Sequence, residues 1–150
     1  GGDAAAARAA FTGRHAPLVD GVRLSRDLAN EPANVIYPDS FIAEVRKAFG
    51  STANVTIEVL DEAAMRRLNM GSIVGVGQGS PRGSRIMIVR YRGPGSEAAP
   101  LALIGKGITF DSGGISLKPG AGMWDMKADM SGAASVMGAA LSLAKSRAPV

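Results

Sequence analysis

Between Ala99 and Gly114 the chain reads APLALIGKGITFDSGG. An unbroken apolar run, Leu101-Ala102-Leu103-Ile104, gives way at once to Gly and Ser carrying one amine, Lys106, and one carboxylate, Asp111. A run this short and this uniformly apolar predicts a strand over 99–107 covered on both faces. A half-exposed strand would alternate apolar and polar residues, and a helix would need greater length. Strands covered on both faces belong to sheets flanked by helices, so this one stretch selects an α/β architecture.

The periodicity of the other segments agrees. PLVDGVRLSRDLANEP (17–32) predicts a helix with Leu18, Val22, Ser25 and Leu28 on one face, Pro17 in its first turn and Pro32 as its stop. YPDSFIAEVRKAFG (37–50) predicts a second helix, with Phe41, Ile42, Val45 and Phe49 as its stripe and Gly50 as its cap. NVTIEVLD (54–61) alternates as a strand does, and DEAAMRRLN (61–69) reads as a short helix. MGSIVGVGQGS (70–80) reads as a Gly-rich loop, SRIMIVRYRG (84–93) as a β-rich run, and GPGSEAAP (93–100) as a turn-rich connection between strands. DMSGAASVMGAALSLAKSRA (129–148) predicts a closing helix with a face of small residues. Helices alternating with strands predict an α/β three-layer α/β/α sandwich on a mixed, largely parallel sheet, incomplete in this chain.

Composition narrows the function. With 150 residues, 46% hydrophobic and 20% charged, the chain suits one packed domain. No apolar run approaches the ~20 residues of a membrane span. The opening Gly1-Gly2-Asp3-Ala4 lacks the basic and apolar regions of a secretory signal. There is no Cys, hence no disulfide framework and no thiolate chemistry, which fits a cytoplasmic protein. The single His, His15, sits beside Ala16-Pro17 and reads as a loop residue, so Ser-His-Asp and Cys-His schemes lack support. The net charge of +4 is scattered, with no basic stripe interleaved with aromatics for nucleic acid.

Two phosphate-binding readings fail on residues that their mechanisms need. GVGQGS has Gly75 and Gly77, but Ser80 stands where the dinucleotide fingerprint requires its third Gly. Gly105-Lys106 lacks the earlier Gly of a P-loop, where Pro100 stands, and the following Ser or Thr, where Gly107 stands. A cation site fits better. Lys106 and Asp111 leave the carboxyl end of a predicted strand, where open α/β sheets bind ligands, and Asp129 opens the last helix. Carboxylate oxygens suit Mg²⁺ and Mn²⁺, and Zn²⁺ accepts them. An amine is a rarer ligand, because a Lys with an ordinary pKa near ~10.4 must lose its proton to coordinate. A second lysine near a cation stays protonated and can polarise a carbonyl. The same stretch could instead be a turn in which Lys–Asp pairs tie loops together.

GKGITFDSGGISLKP (105–119) followed by MKADMSGAASVMGA (126–139) closely resembles the leucyl aminopeptidases, the cytosol aminopeptidase and aminopeptidase A family. RDLANEPANVIYP (26–38) resembles the opening of that family's catalytic domain. The resemblance implies a hydrolase with a dinuclear site of Mn or Zn, with Mg as a further possibility. It implies a metal-bound hydroxide that releases N-terminal, Leu-preferring residues from peptides with a free N-terminus. It implies Lys106, Asp111 and Asp129 as metal ligands, Lys118 as the catalytic, substrate-contacting lysine, and Met126 as a residue lining the pocket for the substrate's first side chain. Asp125 and Lys127 match no role, and surface or loop pairing is expected of both. The resemblance also implies a cytoplasmic homo-hexamer. Residues 1–21 read as an interdomain linker helix and 22–150 as the N-terminal half of the catalytic domain. The family's second motif, Asn-Thr-Asp-Ala-Glu-Gly-Arg, supplies further carboxylates and an Arg, and it does not occur in these residues. The expectation is therefore an inactive isolated chain, and the alternative is a DNA-binding or scaffolding role.

Overall fold

The structure is a computed structural model, described here for residues 2–97 and 100–150. Its first helix, α1 (Ala4–Ala10), is capped by Asp3, whose carboxylate accepts the Ala5 and Ala6 N–H groups at 3.0 and 3.2 Å. A π turn over Phe11–His15 continues it into α2 (Ala16–Asn30), so the two form one rod whose leading part is exposed, His15 included. After the break at Pro32 comes α3 (Pro38–Phe49). Its start is fixed by Ser40, whose Oγ accepts the Tyr37 N–H at 2.9 Å and donates to the Val35 carbonyl at 2.6 Å. Its end is fixed by Gly50 at φ 50°, a left-handed turn open to a residue without Cβ.

Strand β1 (Val55–Leu60) pairs antiparallel with β2 (Ile86–Tyr91), Val55 opposite Tyr91 and Leu60 opposite Ile86. That register puts Val55, Ile57, Met87, Val89 and Tyr91 on the face that packs against the core. Between the strands lie α4 (Glu62–Arg67), capped by Asp61 at 2.7 Å from the Ala64 nitrogen, and α5 (Gly71–Gly77). The last helix is α6 (Ser131–Lys145). The core gathers Leu28, Phe41, Val45, Phe49, Met130 and Leu141 where α2, α3 and α6 cover one face of the β1–β2 pair. This is α/β packing. Among the described residues, no helix is long and apolar enough to cross a membrane.

The structure corrects four expectations. First, residues 70–80 are not a loop: α5 forms across them because Val74, with 2% exposure, buries itself where α5 meets α4 and its Met65. Burial outweighs the ~1 kcal/mol that each helical Gly costs. Second, the packed face of α2 is Pro17, Gly21, Leu24 and Leu28, while Leu18 and Val22 are about half exposed. A stripe drawn through the largest side chains misses Gly21, which is buried because α6 lies directly against it. A Cβ on Gly21 would fall on the Gly138 carbonyl and the Ser142 hydroxyl, and one on Gly138 would fall on the Gly21 carbonyl.

Third, residues 100–107 are not a strand, and Leu101, Leu103 and Ile104 are exposed at 76%, 45% and 92%. A strand exists only by pairing, and no described residue pairs with this run in a ladder. Fourth, the ladder among the described residues is antiparallel, with no parallel pair in the sheet. The connection over 93–100 begins with a turn at Pro94-Gly95, but residues 98 and 99 lie outside the described residues.

Candidate metal and catalytic site

Lys106 owes its position to two glycines. The backbone at Gly105 lies against the first turn of α6, where a Cβ on Gly105 would fall on the Gly132 carbonyl and 2.6 Å from the Ala133 nitrogen. A Cβ on Gly132 would lie 2.9 Å from the Lys106 nitrogen. Only a Gly–Gly seam lets the two backbones meet. Across it the Ala133 N–H donates to the Lys106 carbonyl at 2.8 Å, which satisfies one of the orphan donors of a helix start. Asp129, two residues before α6, is thereby brought to Lys106. The Lys106 Nζ lies 2.6 Å from both carboxylate oxygens, and the Asp129 side chain is only 19% exposed.

Asp111 and Lys118 bracket a closed loop. The Asp111 Oδ1 accepts the Gly113 N–H at 2.9 Å, as Asx turns do, and Gly113 and Gly114 take φ 92° and 67°. The Lys118 N–H donates to the Ser112 carbonyl at 2.9 Å, which brings the ends of the loop together. The Lys118 Nζ then lies 2.7 Å from the Asp111 Oδ2 and 3.0 Å from the Asp111 carbonyl oxygen. The Lys118 hydrogen bond, then the Gly113 N–H and the charges of Lys118 and Lys106, hold the Asp111 carboxyl below its ordinary pKa against a smaller opposing effect of burial.

The predicted site residues therefore fall into two pairs, Lys106–Asp129 and Lys118–Asp111, with Lys106 close enough for its charge to act on Asp111 as well. Met126 is half-buried in a 3-10 turn, Met123–Ala128, and its carbonyl accepts the Asp129 N–H at 3.2 Å. Asp125 is exposed on the same turn, whereas Lys127 donates to the Asn30 carbonyl at 2.6 Å. The loop pairing expected of Lys127 is thus present. The Gly105–Gly132 seam and the Asn30 partner were not anticipated. The small residues after Asp129 were the signal for the first, and nothing local signals the second.

Does this donor set suit a divalent cation? Among the described residues no three His, Cys, Asp or Glu side chains converge, so a site here needs the Lys106 amine beside the two carboxylates. Asp129 already directs both oxygens at a single positive centre, as a carboxylate does for a hard cation. The residues fit such a cation in chemistry. Concavity alone points elsewhere: a groove of about 590 Å³ between α2, α3 and α6 is floored by Leu24, Leu28, Ile36 and Leu141 and contains none of the five predicted site residues. That groove carries ion pairs of its own, Lys145–Asp20 at 2.6 Å among them, but in none of them do both oxygens of one carboxylate meet the same amine, as those of Asp129 meet Lys106.

The catalytic-domain profile of the cytosol aminopeptidase family matches residues 23–150. The Bradyrhizobium protein named "Probable cytosol aminopeptidase" is 50% identical over 146 residues, covering 97% of this chain and 29% of that protein. Among solved structures, the Trypanosoma brucei leucyl aminopeptidase in complex with actinonin superposes with a TM-score of 0.83 at 27% identity, covering 89% of this chain and 26% of that one. The bottromycin maturation enzyme BotP in complex with Mn superposes with a TM-score of 0.75 at 35% identity, covering 89% and 28%. The chain spans about 29% of the length of the curated relatives it matches. On these matches, which cover nearly all of its residues, the chain belongs to the cytosol aminopeptidase family.

Proposed function

We propose that the protein containing this chain is a metal-dependent aminopeptidase that removes N-terminal, Leu-preferring residues from peptides. In this reading, residues 22–150 are the N-terminal half of its catalytic domain, within a three-layer sandwich, and residues 1–21 are the helix leading into it. The observation that carries the reading is the meeting of Lys106 with Asp129 beside the Asp111–Lys118 pair, inside the stretch that matches the family. Relatives solved with actinonin and with Mn are consistent with a peptide-processing metal site. A cytoplasmic homo-hexamer belongs to the same proposal.

Lys106, Asp111 and Asp129 would hold two divalent cations, Mn or Zn with Mg as a third choice, together with ligands from outside this chain. A cation bound there supplies Lewis acidity and an activated water. Asp129 would offer its carboxylate and Lys106 its side-chain nitrogen to such a cation. Lys118 is held beside Asp111, its Nζ 2.7 Å from the carboxylate. It donates to the oxygen of the scissile carbonyl as negative charge develops there. Met126 lines the pocket for the first side chain. The alternative of a DNA-binding or scaffolding role draws support from no feature of the site.

The test is Lys118→Ala in the full-length protein. Elemental analysis should return the wild-type metal content, while turnover of a leucine amide falls by roughly 10²–10³-fold, as for loss of an oxyanion donor. Wild-type turnover would end the assignment of Lys118.

A further inference from the structure

Asp129 is approached from two sides. On one side the first turn of α6 sits on the Gly105–Lys106 backbone. On the other, Lys127 reaches away from the candidate site to the end of α2, where its Nζ donates to the Asn30 carbonyl at 2.6 Å. Asn30 is the last residue of α2, so the acceptor belongs to a helix terminus that carries partial negative charge and carbonyls without intrahelical partners. The contact joins residues 97 positions apart in sequence. It is charge-assisted and short, so it fixes a direction where an apolar contact would allow sliding. Only Ala128 separates Lys127 from Asp129.

We infer that Lys127 is a positioning residue: its bond to the C-terminal end of α2 sets the placement of Asp129 for cation binding. The inference rests on the reading of Asp129 as a metal ligand. Ligands must be held to within roughly 0.5 Å, and loss of an outer-shell partner typically weakens metal binding by about 10–100-fold. Met126 and Asp125 flank the same turn without such an anchor, since the Asp125 side chain is exposed and the Met126 side chain cannot donate.

The experiment is a Mn²⁺ titration of the full-length protein, free Mn²⁺ being read by electron paramagnetic resonance, with thermal melts alongside. Lys127→Met should weaken the Asp129-dependent Mn²⁺ by about 10–100-fold while the melting temperature stays close to wild type. Lys127→Arg, which can still donate to the Asn30 carbonyl, should restore affinity to within a few-fold. Wild-type affinity in Lys127→Met, or an equal loss in Lys127→Arg, would overturn the inference. If Lys127→Met does not fold, Lys127→Leu, which likewise lacks a donor, is judged by the same criterion. Asp129→Ala separates the two levels: Mn²⁺ binding unchanged there would fail the ligand reading itself, whereas its loss alongside an intact Lys127→Met would fail only the role of Lys127.

Discussion

Gly105→Ala places one methyl group in the seam on which Lys106 depends. The new Cβ would lie on the Gly132 carbonyl and 2.6 Å from the Ala133 nitrogen, whereas ordinary contact begins near 3.4 Å. The Gly132 carbonyl oxygen, at 2.3 Å, sets the requirement, and the seam must open by about 1.1 Å. Backbone lies on both sides, so no side chain can swing away to make room. The Ala133–Lys106 hydrogen bond, now 2.8 Å, stretches beyond good geometry, at a cost of about 1 kcal/mol. Overpacking adds about 1–3 kcal/mol, for a total near ~2–4 kcal/mol. Lys106 moves with Gly105 while Asp129 stays with α6, and a ~1 Å error in a reacting constellation costs about 10²-fold in rate. Gly107→Ala is the control, because its Cβ would meet only the Ala133 Cβ at 3.4 Å, an ordinary contact. Urea melts, Mn²⁺ affinity and hydrogen exchange at the Ala133 amide should separate the two variants. Gly105→Ala should lose stability and affinity and exchange faster at Ala133, and Gly107→Ala should follow wild type. If the two behave alike in all three assays, the seam does not set the site.

The same contrast applies where α2 crosses α6. Gly21→Ala should destabilise by about 1–3 kcal/mol through collision with the Gly138 carbonyl, whereas Gly75→Ala, with open space around it in α5, should stabilise by about 0.4–1 kcal/mol in matched urea melts. Asp111 gives a pH dependence in the metal-free protein. Its folded pKa lies below the unfolded value, so its contribution to stability is complete above an unfolded pKa of ~3.9 and fades as pH falls through the lowered folded value. Asp111→Asn should flatten that acid limb of the pH–stability curve, and an unchanged limb would show that another carboxyl is responsible.

How much of this was legible in the sequence depended on whether the cause was local. The alternation of Val55, Ile57 and Val59 and the stripe Phe41-Ile42-Val45-Phe49 are local patterns, and both elements formed as their periods indicate. Gly50 likewise announced the end of α3, because the left-handed turn it makes is a property of one residue. The face of α2 was misjudged because its deciding residue, Gly21, has no side chain to read and is buried only by its encounter with Gly138. Helix α5 was missed because Gly75 and Gly77 argue for a loop, while the burial of Val74 depends on α4. For the site, residue types and spacing indicated which side chains belong together. The partners actually made, Asp129 for Lys106 and Asp111 for Lys118, follow from a backbone seam and a closed loop that no spacing rule encodes. The run 101–104 has the composition of a covered strand, but composition cannot provide the neighbouring strand that a ladder needs.

Trp124 stands on the 3-10 turn that leads through Lys127 to Asp129. It is the only tryptophan in the chain, and 67% of it is exposed. An indole in water emits at longer wavelength than one enclosed by protein, so its spectrum reports on this turn. A ligand or partner that covers this turn would shift that emission to shorter wavelength. The chain therefore carries a built-in optical probe beside the residues in question, and cuvette fluorescence could follow ligand capture or chain association without a label.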